Sequence, residues 1–200
     1  MDIVDQTRQK AMQNGVVNII IAGATCSGKT TLADKLKAEL SGEFTVSIIR
    51  QDNYFKDIAD IPRVRQGYLT DSINAFHTHE FKQDVEVLFS CGKTFIPRYD
   101  VSWNKRVAKD VCVTSSQINI FEGLHVISLL GGLENSLTVF LDTPLEVCME
   151  RRIARDTKLY GIPEQRIREN FSDCILPMYR SYIVPQKEQA EITTEGSGFL

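Results

Sequence analysis

The feature that most constrains this chain is the stretch Val16 to Thr31, "V-V-N-I-I-I-A-G-A-T-C-S-G-K-T-T". An apolar run, Val16 to Ala22, passes into a loop with glycines at 23 and 28. The run is short and β-branched, as a buried strand requires, and Leu32, Leu36 and Leu40 then recur at i, i+4 and i+8, the stripe of a packed helix from Thr31 to Leu40. Strand, glycine-rich loop and helix in this order match the phosphate-cradling pattern G-x-x-x-x-G-K-T. Its residues are Gly23, Ala24, Thr25, Cys26, Ser27, Gly28, Lys29, Thr30 and Thr31. Backbone N–H groups close around phosphate oxygens there, aided by the helix N-terminus. Lys29 is expected to reach the β- and γ-phosphates and the Thr30 hydroxyl to hold Mg²⁺.

The rest of the chain repeats the alternation. Phe44 to Ile49, Ile118 to Phe121 and Leu137 to Leu141 read as strands. Helices are expected near Phe81 to Phe89 and from Leu145 to about Asp156, after Pro144. Strands separated by helices predict a mostly parallel sheet covered on both faces. Ligands then sit beyond the carboxyl ends of the strands. The segment Thr94 to Thr114, rich in β-branched and aromatic residues, reads as a hairpin added to that core.

Composition sets the outer bounds. Two hundred residues suit one domain, over 1–200. Twenty-three basic against 26 acidic residues give a net charge of -3, which disfavours nucleic acid as a partner. No apolar run approaches the ~20 residues of a membrane span, so no membrane partner is expected. The first residues carry two acids and no apolar core, unlike a secretory signal. Five scattered cysteines without a C-x-x-C pair fit a reduced, cytoplasmic setting.

A phosphate loop alone does not name a reaction. A GTPase-type switch needs Asp-x-x-Gly and Asn-Lys-x-Asp; no Asp here has Gly three residues on, and Asn104-Lys105 is followed by Arg106-Val107. A kinase of a small hydroxyl substrate needs a base near the acceptor and arginines over the transferring group. Asp52, at the end of the second strand in "R-Q-D-N-Y-F", suits the base if strands one and two flank the nucleotide. Arg152 and Arg155 in "E-R-R-I-A-R-D" suit a lid, spanning about 151–166, that closes on phosphate; the plain alternative is surface pairing of Arg152 with Asp156 at i+4. Glu122, ending the third strand in "F-E-G", is placed to order a metal. His77-Thr78-His79 has metal-like spacing without a third ligand and reads as a helix-start surface pair. His125 reads as structural, Cys26 as a spacer, and Trp103 as either a stacking platform or hairpin packing.

The phosphate loop, "Q-D-N-Y-F", "F-E-G" and "R-R-I-A-R-D", in this order, resemble the uridine kinase and phosphoribulokinase group of P-loop kinases, from about Ile19 to Glu195. The resemblance implies a three-layer α/β P-loop NTPase fold. It also implies ATP and Mg²⁺ as cofactors, a small-molecule substrate, and transfer to a hydroxyl such as the 5′-OH of uridine or cytidine. By the same resemblance Asp52 is the catalytic carboxylate, with Lys29 and Arg155 at the phosphates, and Thr30 and Glu122 are metal-linked. "D-S-I-N-A-F" makes Asp71 a ribose ligand joined by Arg152, and "I-P-R-Y-D" gives Tyr99 a place against the base. Departures fall in the acceptor site and lid. Asn104 stands where the group carries a base-contacting His. Tyr160-Gly161-Ile162 replaces a frequent R-G-R, and Asn170 falls near a base-contacting amide position. These leave open another sugar-like alcohol, such as ribulose 5-phosphate, nicotinamide riboside or pantothenate, or a weakly catalytic nucleotide-binding regulator. The group usually continues with a helix after the strand at "A-E-I-T-T-E-G", soon after which this chain stops at Leu200; either a trimmed fold or subunit contacts in a homo-oligomer are expected in its place.

Overall fold

The computed structural model describes residues 2–65 and 67–196. Helix α1 (Ile3–Asn14) leads into strand β1 (Val17–Gly23), then α2 (Lys29–Leu40) and β2 (Val46–Arg50). After a long strap come α3 (Thr78–Cys91), β3 (Lys93–Ile96), β4 (Val111–Thr114) and β5 (Ile118–Glu122). The chain continues through α4 (Val126–Leu130), β6 (Ser136–Leu141), α5 (Leu145–Tyr160), α6 (Glu164–Asn170) and β7 (Ile192–Thr194). The expected strands and helices are all present, with ends shifted by a residue or a few.

Five strands form one sheet in the order β7-β6-β1-β5-β2, every pairing parallel. All seven residues of β1 are buried because it has a strand on each side and helices above and below. Alternate side chains serve opposite layers, as the period of two demands. Ile19 and Ile21 join Leu32, Leu36 and Leu40 of α2 and Ile3 and Ala11 of α1. Ile20 and Ala22 join Phe121, Phe140, Phe81, Val85 and Ile127 on the other face. A polar rung pins the register: Ser47 Oγ donates to Asn119 Oδ1 at 2.9 Å, and Asn119 Nδ2 to Asn18 Oδ1 at 3.2 Å. These three residues are direct neighbours across β2, β5 and β1. A one-residue slip breaks the rung and exchanges the two apolar faces.

β2 does not pair with β1; β5 lies between them. The end of β2 nevertheless reaches the site, because all five strands point the same way and their carboxyl ends share one edge. The expected hairpin exists as a separate ribbon. β3 pairs with β4, and Tyr99–Asp100 pairs with Lys105–Arg106 further out. Pro97, which has no N–H to donate, stands between the two paired pieces.

The strap from Gln51 to His77 has little regular structure. Its ends are tied by the Phe55–Phe76 bridge, by His77 N donating to Tyr54 O (2.8 Å) and by Lys56 N donating to Ala75 O (2.9 Å). After α6 the helical path loosens into π turns at Phe171–Ile175 and Tyr179–Ile183, then tightens over Val184–Gln189. Pro177 and Pro185 remove donors that a regular α-helix would use. No helix among the described residues is long and apolar enough to cross a membrane.

Candidate active site

A cleft of about 1,110 Å³ opens at the carboxyl edge of the sheet. Thr25, Cys26, Gly28, Lys29, Thr30 and Thr31 line one side. Asp52, Asp71, Tyr99, Asn104, Glu122, Arg152 and Arg155 line the rest of the same space. Gly23, Ala24 and Ser27 belong to the loop's underside and are not among the lining residues. Asn170 does not line the cleft either. It packs on Gly67, where an added Cβ would sit 2.7 Å from its Nδ2. Trp103 is 76% exposed at the hairpin tip, outside the cleft lining. His77 is half-buried and His79 exposed at the start of α3, and no group of three or more His, Cys, Asp or Glu among the described residues is arranged to hold a metal.

The loop is fixed by close approach. At Gly23 φ is +154°, and a Cβ would lie 2.7 Å from Leu141 O and 2.8 Å from Ser27 Oγ. Only glycine allows β1 to turn into the loop this tightly. Ser27 Oγ is buried without a hydrogen-bond partner among the described residues. Thr143, just past β6, braces the loop from behind by donating to Ser27 O at 2.9 Å. Lys29 Nζ donates to Gly23 O (3.1 Å) and Ala24 O (2.7 Å), which keeps the ammonium at the loop mouth.

At the metal-candidate end, Thr30 Oγ1 donates to Glu122 Oε1 at 3.1 Å, and Arg50 Nε lies 3.4 Å from the same oxygen. Burial raises Glu122 above the usual carboxylate range and Asp52 adds to the rise, against Lys29, the Thr30 hydrogen bond and Arg50. A buried carboxylate beside a threonine hydroxyl is the oxygen donor chemistry that Mg²⁺ takes, and two protein donors leave the other positions to phosphate and water. The residues fit the ion.

Across the cleft, Asp52 has surface open to the space but stands within its walls. Removal from bulk water raises its carboxyl, opposed by Lys29, Arg155 and Arg50. Burial likewise raises Asp71, which is 4% exposed; Arg152, Lys29 and the Thr70 hydroxyl oppose the rise and Asp52 adds to it. The two carboxylates therefore feel each other and share one cationic neighbourhood. Arg152 sits at the junction, with Nη1 3.3 Å from Thr25 Oγ1 and Nε 3.3 Å from Asp156 Oδ2. The i+4 pairing with Asp156 and a position at the cleft are thus both present. Arg155 Nε pairs with Asp156 at 2.7 Å.

Sequence reading missed Arg151. Its Nη1 lies 3.4 Å from the carbonyls of Cys26 and Ser27, against the phosphate loop. Neighbours on a helix point about 100° apart, so following the Arg152 line passes over it. Tyr160 and Ile162 line the cleft where cations were expected, along with Phe55, Ile58 and Leu124.

Comparison with known proteins shows the family. The model of the "Phosphoribulokinase / Uridine kinase family" matches residues 18–197. The chain belongs to that family. It is an ATP-dependent small-molecule kinase. A protein named uridine kinase from Tolumonas auensis is 33% identical over 191 residues, covering 91% of this chain and 87% of its own. Among solved structures, a "possible uridine kinase" from Bacillus stearothermophilus shares the fold at a TM-score of 0.67 and 16% identity, covering 98% of this chain and 100% of its own. Phosphoribulokinase from Rhodobacter sphaeroides does so at a TM-score of 0.55 and 16% identity, covering 90% and 72%.

Proposed function

We propose that this kinase transfers the γ-phosphoryl group of ATP, with Mg²⁺, to the 5′-hydroxyl of a pyrimidine ribonucleoside, uridine or cytidine. The observation that carries the reading is the convergence of Asp52 and Asp71 from opposite ends of the strap on the cleft that the phosphate loop opens into. The name of the Tolumonas auensis relative supports the same acceptor.

In this reading Asp52 takes the proton of the attacking hydroxyl. A carboxyl raised by burial matches that task better than an ordinary one, since a base works best near the operating pH. Asp71 accepts from the vicinal ribose hydroxyls with its two oxygens, held there by Arg152. Tyr99 and Phe55, ring centroids 5.4 Å apart, wall the base, and Asn104 offers its amide to the base edge. Lys29, Arg155 and Arg151 concentrate positive charge where phosphate charge shifts during transfer. Thr30 and Glu122 would hold Mg²⁺, which would supply further positive charge at the phosphates when bound. The chemistry and the scattered thiols suit a cytoplasmic enzyme acting on small molecules.

A phosphorylated acceptor such as ribulose 5-phosphate would call on the hairpin cations. Arg98 is instead paired with Asp110 (2.7 Å), and Arg106 holds both oxygens of Glu80.

The test is ADP release with ATP and Mg²⁺ against uridine, cytidine, nicotinamide riboside, pantothenate and ribulose 5-phosphate. Uridine or cytidine is expected to stimulate turnover, and Asp52→Asn to lower kcat by about 10²–10⁴-fold. Stimulation only by another acceptor would overturn the nucleoside assignment. ATP binding with no acceptor-dependent turnover across a wider screen would mark a nucleotide-binding regulator.

A further inference from the structure

Beneath the acceptor carboxylates lies a buried pair that the mechanism above does not use. Gln51, fully buried, immediately precedes Asp52. Its Oε1 accepts from the main-chain N of His125 at 2.9 Å. Gly123 makes room for this crossing: a Cβ there would lie 2.4 Å from Gln51 Cβ and 2.5 Å from its Oε1. His125, 1% exposed, lies near the main chain of the other carboxylate, Asp71, whose backbone opposes the burial that favours a neutral ring.

The ring is also clamped. Phe76 meets it edge-on at 5.5 Å and 73°, and Tyr182 at 6.0 Å and 84°. Phe76 in turn stacks on Phe55 at 4.1 Å. His125 therefore meets both ends of the strap that carries Asp52 and Asp71: its main-chain N holds Gln51 beside Asp52, and its ring packs on Phe76. The Nε2 atoms of His125 and Gln51 are both buried and lack a partner among the described residues. Native proteins seldom leave such groups unmet, and those they keep tend to mark a functional demand.

We propose that His125, with Gln51, is a positioning residue that sets the spacing and orientation of Asp52 and Asp71 across the cleft. It touches neither substrate; it acts through the two carboxylates. The proposal rests on the nucleoside-kinase reading for its kinetic test. A second measurement stands free of that reading.

The kinetic test compares wild type with His125→Leu, and with His125→Gln and His125→Asn, which restore a donor. By analogy with outer-shell residues that orient ligating groups, His125→Leu is expected to raise the uridine KM about 10–100-fold. The ATP KM should stay within about twofold, and one amide variant should recover most of the loss. Should His125→Leu fail to fold, Gln51→Leu takes its place. Uridine and ATP KM values that move together, or not at all, in a folded variant overturn the proposal.

The second measurement is amide exchange on the ligand-free proteins. Exchange is expected to quicken in segments 51–56 and 69–77 while strand 17–23 holds. A uniform rise, or none, overturns the proposal even if uridine proves not to be the acceptor. If wild type shows no uridine turnover but the selective rise is found, the acceptor assignment fails and the positioning role stands.

Discussion

The turn that carries Asp52 is anchored by one buried hydroxyl, and removing it gives a measurable forecast. Tyr54 is 0% exposed, and its Oη donates to Asp84 Oδ2 at 2.9 Å. Asp84, itself buried on α3, takes its second contact from Lys109 Nζ at 2.5 Å. Burial holds the phenol strongly in its neutral, donating form, and the nearby Asp84 reinforces this. Tyr54→Phe keeps the ring and its edge-on contact with Phe81 (5.1 Å) but strips one partner from a buried acid. A hydrogen bond to a charged group is worth about 1.5–3 kcal/mol. For a chain of this length each kcal/mol moves Tm by roughly 2–4 °C, so a loss of about 2 kcal/mol should lower Tm by about 4–8 °C. Lys109 is about a third exposed, so water replaces it in part and Lys109→Met should cost less, about 1–2 kcal/mol. Because both act on Asp84, the double variant should depart from additivity by at least about 0.5 kcal/mol. The assay is thermal unfolding by circular dichroism, checked by urea titration. A Tyr54→Phe shift below about 1 °C, or strict additivity, would refute the claim that Asp84 is held from both sides.

Other outcomes follow from the same contacts. Burial, with Lys29 adding to it, lowers His125 to about 4, against about 6.5 in an unfolded chain. The imidazole therefore contributes stability above pH 6.5 that is lost as pH falls toward 4, up to about 3 kcal/mol. The raised carboxyls of Asp52, Asp71 and Glu122 work in the opposite direction, so the quantity to follow is the stability difference between wild type and His125→Gln across that window. A flat difference contradicts a buried neutral ring. Gly23→Ala, whose methyl would meet Leu141 O and Ser27 Oγ, should cost about 1–3 kcal/mol by overpacking; titration calorimetry should show ATP affinity falling with it. Trp103→Ala should change stability by less than about 0.5 kcal/mol, as exposed positions do, and leave the uridine KM unaltered; a tenfold rise would place the indole over the base.

What the sequence displayed was the part governed by periodicity. The strands at β1, β5 and β6 are mostly apolar because both of their faces are covered, broken chiefly by the Asn18–Asn119 rung, and the phosphate loop carries its own spacing. Helix α1 escaped notice because its inward stripe is Ile3, Thr7 and Ala11. The middle member is polar and hides its hydroxyl by donating to Ile3 O at 2.7 Å. The insertion of β5 between β1 and β2 was equally invisible, since strand order depends on how connections cross the sheet rather than on any strand's residues. Within the site, residues named by motif could be placed on loops in advance. Arg151, Gln51 and Gly123 could not, because their roles depend on approaches of a few ångströms between segments 70 or more positions apart.

The acceptor carboxylates hang on a strap with almost no ladder hydrogen bonds, while the phosphate-binding parts grow out of the central strand. This division separates what can drift from what cannot. In the proposed reading, substitutions between Asn53 and Asn74 would alter acceptor choice while β1 and its loop stay as they are. If that reading holds, acceptor choice and phosphoryl donation would be separable by rewriting the strap alone.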